Sequence, residues 1–124
     1  MNILITGGTG TWGHAFVPVA LASGLFERIA ILSRDEDKQF RFRRELGDDQ
    51  RLRWFIGDVR DKERLLLAFR GVDAVIHAAA LKHVLSGEYN PDEHIKTNIL
   101  GALNVARAAI DCGVPKVLAI SSDK

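Results

Sequence analysis

At 124 residues the chain has the size of one domain, able to bury roughly two-thirds of its unfolded surface. Its 17 basic and 16 acidic residues leave a formal charge of +1, which excludes a strong field for nucleic acid or an anionic membrane, and no apolar run approaches the roughly 20 residues of a membrane span. The one cysteine, Cys112, excludes an internal disulfide and fits a reducing, cytoplasmic setting, where it reads as a small apolar residue near a helix end.

The chain opens on a strand-like run over 2–6, followed at once by Gly7-x-x-Gly10-x-x-Gly13 and an apolar segment. Strand, glycine turn and helix start in that order cradle a dinucleotide pyrophosphate. The first glycine permits the tight turn, the middle one lets backbone approach phosphate, and the last packs helix on strand. Thr9, Thr11 and Trp12, between the glycines, belong to the same candidate loop. A glycine-rich connector that holds nothing is the competing reading, to be weighed against the later segments. The helix that follows is predicted over 12–23 with Pro18 well inside it. An interior proline costs about 3 kcal/mol, so a kink or a locally irregular turn is expected there.

Further strand-like runs fall at 28–33, 51–57, 73–77 and 116–121, separated by helical segments near 35–46, 61–70 and 91–111. This alternation predicts an α/β fold, a Rossmann-like doubly wound parallel sheet with helices on both faces. Right-handed crossovers give five strands in the order 3-2-1-4-5. With no repeat, low-complexity tract or linker, residues 1–124 are expected to form one NAD(P)-binding domain.

The second strand ends at Ile31-Leu32-Ser33-Arg34-Asp35. Folds that bind NAD usually set a carboxylate here for the ribose 2′-hydroxyl. Ser33 and Arg34, with Lys38 one helical turn beyond, suit a 2′-phosphate instead and favour NADP. NAD remains possible through Asp35, which either caps the next helix or contacts ribose. Arg41, Arg43 and Arg44 read as a solvated helix face. Asp58-Val59 closes the third strand, its carboxylate placed either for the exocyclic amine of adenine or to cap the helix starting near Asp61. His77-Ala78-Ala79-Ala80 closes the fourth. Its small residues let a nicotinamide ribose lie close to the backbone, and His77 reads as a satisfied core histidine. Lys82, with His83 beside it, follows at the strand's carboxyl end, where open sheets bind ligands, and is read as functional against the alternative of a plain surface lysine.

The last helix is the best specified: Asn90 as N-cap, Pro91 at the first position, Asp92 and Glu93 at the positive end of the dipole. Ile95, Ile99, Ala102, Leu103 and Ala106 form its expected apolar stripe, and Gly113 and Pro115 end it. Ser121-Ser122-Asp123-Lys124 closes the fifth strand at the same crevice. Val117 to Ile120 is expected to be an exposed apolar edge, which predicts self-association or a partner chain.

Taken together, the glycine motif, Ser33-Arg-Asp-Glu-Asp-Lys38, Gly57-Asp-Val-Arg-Asp61, His77-Ala-Ala-Ala-Leu-Lys-His-Val84, Glu88-Tyr-Asn-Pro91, Lys96-Thr-Asn98 and Ser121-Ser-Asp-Lys124 resemble the extended short-chain dehydrogenase/reductases. Within that group they are most similar to the UDP-N-acetylglucosamine 4,6-dehydratases of bacterial surface-sugar biosynthesis, the inverting type included. The likeness runs the length of the chain, and Ala-Ala-Leu-Lys-His-Val is its most specific part.

The resemblance implies an NADP-linked reaction on a UDP-N-acetylhexosamine. Hydride leaves sugar carbon 4, water is eliminated across carbons 5 and 6, and hydride returns to carbon 6. It also implies that Asn98 belongs to the cofactor site, that Asp123 protonates the departing hydroxyl and that Lys124 removes the proton from carbon 5. Ser122, where the family has threonine, would hydrogen-bond the sugar; no metal is implied. The family's Tyr-x-x-x-Lys pair is not found here, since Tyr89 is the one tyrosine and Glu93 stands four residues on. The chain is therefore expected to be the N-terminal cofactor-binding part of such an enzyme, without the sugar-binding C-terminal region and unable to complete turnover alone. A non-catalytic dinucleotide-binding module, or another extended reductase or epimerase, is the alternative.

Overall fold

The structure, a computed structural model, describes residues 1–79 and 91–120, apart from the side chains of 91–97. Ile3-Leu4-Ile5 and Ile29-Ala30-Ile31-Leu32 are apolar without alternation, as strands covered on both faces must be, and each of these residues is at most 3% exposed. The elements in chain order are β1 (Asn2–Thr6), α1 (Thr11–Ser23), β2 (Arg28–Ser33), α2 (Glu36–Leu46), β3 (Leu52–Ile56), α3 (Lys62–Ala68), β4 (Ala74–His77), α4 (Pro91–Cys112) and β5 (Lys116–Ala119). All strand pairs are parallel and the sheet runs β3-β2-β1-β4-β5, the predicted order. Alternate side chains along the strands feed two cores. Leu4, Leu32 and Val75 meet Leu65, Phe69 and Val105 on the face covered by α3 and α4. Ile5, Ile31 and Ile76 meet Val17, Ala20 and Phe42 on the face covered by α1 and α2.

Two expectations are corrected. Helix α1 continues through Pro18 to Ser23, so the irregular turn expected as one alternative there does not form. Pro18 and His14, whose carbonyl loses its amide partner, both lie on the exposed face, where the orphaned group is open to solvent. In α4 the stripe of Ile99, Ala102, Leu103 and Ala106 faces outward, with Ile99 55% and Leu103 46% exposed. The buried side is the opposite one: Gly101, Asn104, Val105, Ala108 and Ala109. Small residues win because the helix lies close to its neighbours. A Cβ on Gly101 would stand 2.8 Å from Val59 Cγ2, and Asn104 Nδ2 donates to the Val59 carbonyl at 3.0 Å. The side chain of Ile95 and the cap residue Asn90 lie outside the described residues.

On β5, Val117 and Leu118 are 46% and 58% exposed, the apolar edge expected, while Ile120 beyond it packs partly against the α1–α2 core. Among the described residues no helix is long and apolar enough to cross a membrane.

Candidate functional site

Where the sheet order reverses between β1 and β4, the turns beyond the strands' carboxyl ends part and leave a crevice. A groove of about 370 Å³ opens there, within the size range of small-molecule clefts. Its floor is the turn between β1 and α1. Gly7 has φ +68° and approaches the end of β4 so closely that a Cβ would lie 2.7 Å from Ala79 Cα. Gly13 packs α1 against the turn itself rather than against the strand, since a Cβ there would sit 1.9 Å from the Gly8 carbonyl oxygen. Gly10 differs from both. It caps α1 with ordinary extended torsions, it is exposed, and a Cβ would meet nothing nearer than the Gly7 oxygen at 3.4 Å. Neither the turn nor the packing sterically requires glycine there, and the space over it is open. The first residues of α1, Thr11 and Trp12, border this space, and no acidic residue occupies its first turn to compete with an anion.

Thr9, Thr11 and Trp12 line the same floor, and Trp12 is held by stacking on Phe16 with centroids 4.6 Å apart. Ser33, Arg34, Asp35 and Lys38 form one wall. Asp35 caps α2: its Oδ1 accepts from the Lys38 amide at 3.1 Å and closes the first turn. Arg34 is largely exposed, its guanidinium 3.9 Å from Asp58.

Asp58 does not cap α3; Asp61 does, accepting from the Arg64 amide at 3.2 Å. Instead Asp58 folds into a local turn, taking the Arg60 amide at 2.9 Å and the Arg60 guanidinium at 2.7 Å. Those Arg60 contacts, set against partial burial, hold its carboxyl below the usual carboxylate range. It lines the groove with Val59, Ala78, Ala79 and Asn98. His77 is the satisfied core histidine expected: buried, it shares a 2.7 Å hydrogen bond between Nδ1 and Thr6 Oγ1, and burial pushes its pKa down toward the neutral ring.

Gly57 and Gly101 also line the groove, and the sequence reading did not assign them to it. The signal for Gly57 was available, because Ser33 pairs with Ile56 across parallel strands and the next residue must sit level with Arg34. Gly101 needed the helix face to be known. Ala80, Lys82, Ser122, Asp123 and Lys124 lie outside the described residues.

Residues 3–124 match the family model described as polysaccharide biosynthesis protein. The chain belongs to this family. It is 55% identical over 123 residues to the inverting UDP-N-acetylglucosamine 4,6-dehydratase of Campylobacter jejuni, covering 99% of this chain and 36% of that protein. It is 47% identical over 126 residues to the UDP-glucose 4-epimerase of Rickettsia conorii, covering 99% of this chain and 37% of the relative. Among solved structures, the dTDP-glucose 4,6-dehydratase DesIV of Streptomyces venezuelae, with NAD bound, superposes with a TM-score of 0.81 at 31% identity over 94% of this chain and 38% of that one. The resemblance to extended short-chain dehydrogenase/reductases and the Rossmann-like fold are thus borne out. This family member spans little more than a third of the relatives it matches.

Proposed function

We propose that the chain is the NADP-binding part of a nucleotide-sugar enzyme similar to UDP-N-acetylglucosamine 4,6-dehydratase, serving surface-polysaccharide biosynthesis. The observation that carries this reading is the wall at the end of β2. Arg34 and Lys38 are exposed and line the groove there, while one oxygen of the Asp35 carboxylate, which lines the same wall, is engaged by the Lys38 amide. Two cations beside a carboxylate already engaged as a helix cap suit a 2′-phosphate better than a 2′-hydroxyl.

The remaining residues fit the rest of a dinucleotide. The space over Gly10 and the α1 N-terminus suits the pyrophosphate, Asp58 and Val59 the adenine, and Ala78, Ala79 and Asn98 the nicotinamide ribose; by the family resemblance Ala80 and Lys82 would join them. When bound, NADP would accept and return the sugar hydride. On the protein's side, Asp123 would donate a proton to the leaving hydroxyl and Lys124 would take one from carbon 5, with Ser122 steadying the sugar. Removal of the carbon-4 hydroxyl proton would need a tyrosine–lysine pair, which Tyr89 with Glu93 four residues on does not form. The epimerase reading draws on the Rickettsia relative; the higher identity to the Campylobacter dehydratase favours the first.

Calorimetric titration of the chain with NADP and, separately, NAD tests the reading. Saturable binding of both with NADP the tighter is expected. A preference for NAD would overturn the role given to Arg34 and Lys38, and no binding of either would overturn the proposal.

The chain is also expected to associate, because the outward side chains of Ile99, Leu103 and Ile110 on α4 and the edge of β5 leave apolar surface uncovered. Light scattering at micromolar concentration should give a mass above the 13.7 kDa of one chain. A single sharp species at that mass would refute it.

A further inference from the structure

We propose that Gln39 is a positioning residue: it turns the hydroxyl proton of Ser33 into the groove and so contributes to a preference for NADP over NAD, an inference that rests on the proposed function above. Gln39 sits in the first turns of α2, only 5% exposed, behind the groove wall rather than in it. Its Nε2 lies 2.7 Å from the Phe55 carbonyl oxygen and 2.8 Å from Ser33 Oγ. A carbonyl oxygen only accepts, so the amide nitrogen and not its oxygen must face Phe55. That fixes the amide, and its second N–H is then directed at Ser33 Oγ, which accepts it.

A serine hydroxyl carries one proton. With Gln39 donating to the oxygen, that proton must go to some other acceptor. The Ser33 carbonyl is taken by the Gly57 amide at 2.9 Å, and no acceptor for the Ser33 hydroxyl is found among the described residues. Ser33 lines the groove next to Arg34, so its proton is left to solvent in the groove or to a ligand that displaces it. A 2′-phosphate offers anionic oxygens that only accept, and a hydrogen bond to them is about twice as strong as one to a neutral hydroxyl. A serine free to rotate would satisfy either ribose; one held by Gln39 presents a fixed donor.

Gln39 also ties the end of β2 to β3, so its loss weakens the fold, and loss of affinity alone would prove nothing. The ratio of the two affinities separates the roles. Kd for NADP and for NAD is measured by calorimetry, alongside Tm, on the wild-type chain and on Gln39→Met, Gln39→Glu, Ser33→Ala and the Ser33→Ala/Gln39→Met double variant. Methionine removes the donor at similar length, and glutamate would itself accept the serine proton. Each single variant is expected to weaken NADP about tenfold and NAD less than about threefold, the size of one lost hydrogen bond to a charged group. The double variant is expected to lose no more than Ser33→Ala. Equal weakening of both dinucleotides, or additive losses, would overturn the inference while leaving the NADP reading intact. Should the Gln39 variants fail to fold, an unchanged affinity ratio in Ser33→Ala has the same force. A wild-type chain that binds neither dinucleotide overturns both.

Discussion

Alanine at Gly13 is expected to cost about 3 kcal/mol or more and to lower Tm by more than about 10 °C, whereas alanine at Gly10 leaves the fold in place and removes measurable dinucleotide binding. The contrast follows from what each added methyl group would meet. At Gly13 it would stand 1.9 Å from the Gly8 carbonyl oxygen and 2.5 Å from the carbonyl carbon, both backbone atoms that no side-chain rotation can move. The first turn of α1 would have to lift away from β1, exposing Val17 and Ala20, which are 0% and 2% exposed in the native packing. At Gly10 the torsions are φ −81° and ψ −173°, open to any residue, and the nearest atom is 3.4 Å away. Alanine is a poorer cap than glycine, which limits the stability cost to about 1 kcal/mol. Its methyl group projects where a pyrophosphate would approach the backbone. Thermal unfolding and calorimetry on the two variants check the pair; retained NADP binding in Gly10→Ala would remove the pyrophosphate from this turn.

Arg34→Glu is expected to weaken NADP about a hundredfold and to change NAD by less than about threefold. A guanidinium facing a phosphate contributes about 1.5–3 kcal/mol through charge-assisted hydrogen bonds, and a carboxylate in its place adds repulsion. Stability should move by no more than about 0.5 kcal/mol, because the side chain is 59% exposed and its ion-pair partner among the described residues, Asp58, is a loose 3.9 Å away. A parallel fall in both affinities would mean that Arg34 serves the adenine or the wall in general, and the preference for the 2′-phosphate would have to come from Lys38 or Ser33.

The sheet order was legible in the sequence because strand and helix alternate throughout and right-handed crossovers leave few ways to arrange five parallel strands. The glycine turn was legible too, because Gly7 and Gly13 answer steric demands that recur wherever a strand passes directly into a packed helix. Helix α4 shows where pattern reading fails. Its two opposite faces are both apolar, Ile99-Leu103-Ile110 on one and Val105-Ala108-Ala109 on the other, and periodicity finds the stripes without saying which one is buried. The close approach of Val59 decides it, and that contact is made across 42 residues of sequence between Val59 and Gly101. The aspartates were ambiguous for a related reason. Asp35, Asp58 and Asp61 each precede a helix by a few residues, and only the amide each one accepts from separates a cap from a groove-lining carboxylate.

The position of β1 at the centre of the sheet has a kinetic consequence. Residues made first pair on one side with β2, Ile3 beside Ile29, but on the other side only with β4, Ile3 beside Ala74. At ribosomal speeds of about 5–20 residues per second, that second partner trails the first by roughly 2–9 s. Until it arrives, an Ile-Leu-Ile strand made to be covered on both faces stands with one backbone edge unpaired. The chain is thus most vulnerable to wrong pairing early in its synthesis, and what closes that window is the emergence of Ala74-Val75-Ile76-His77.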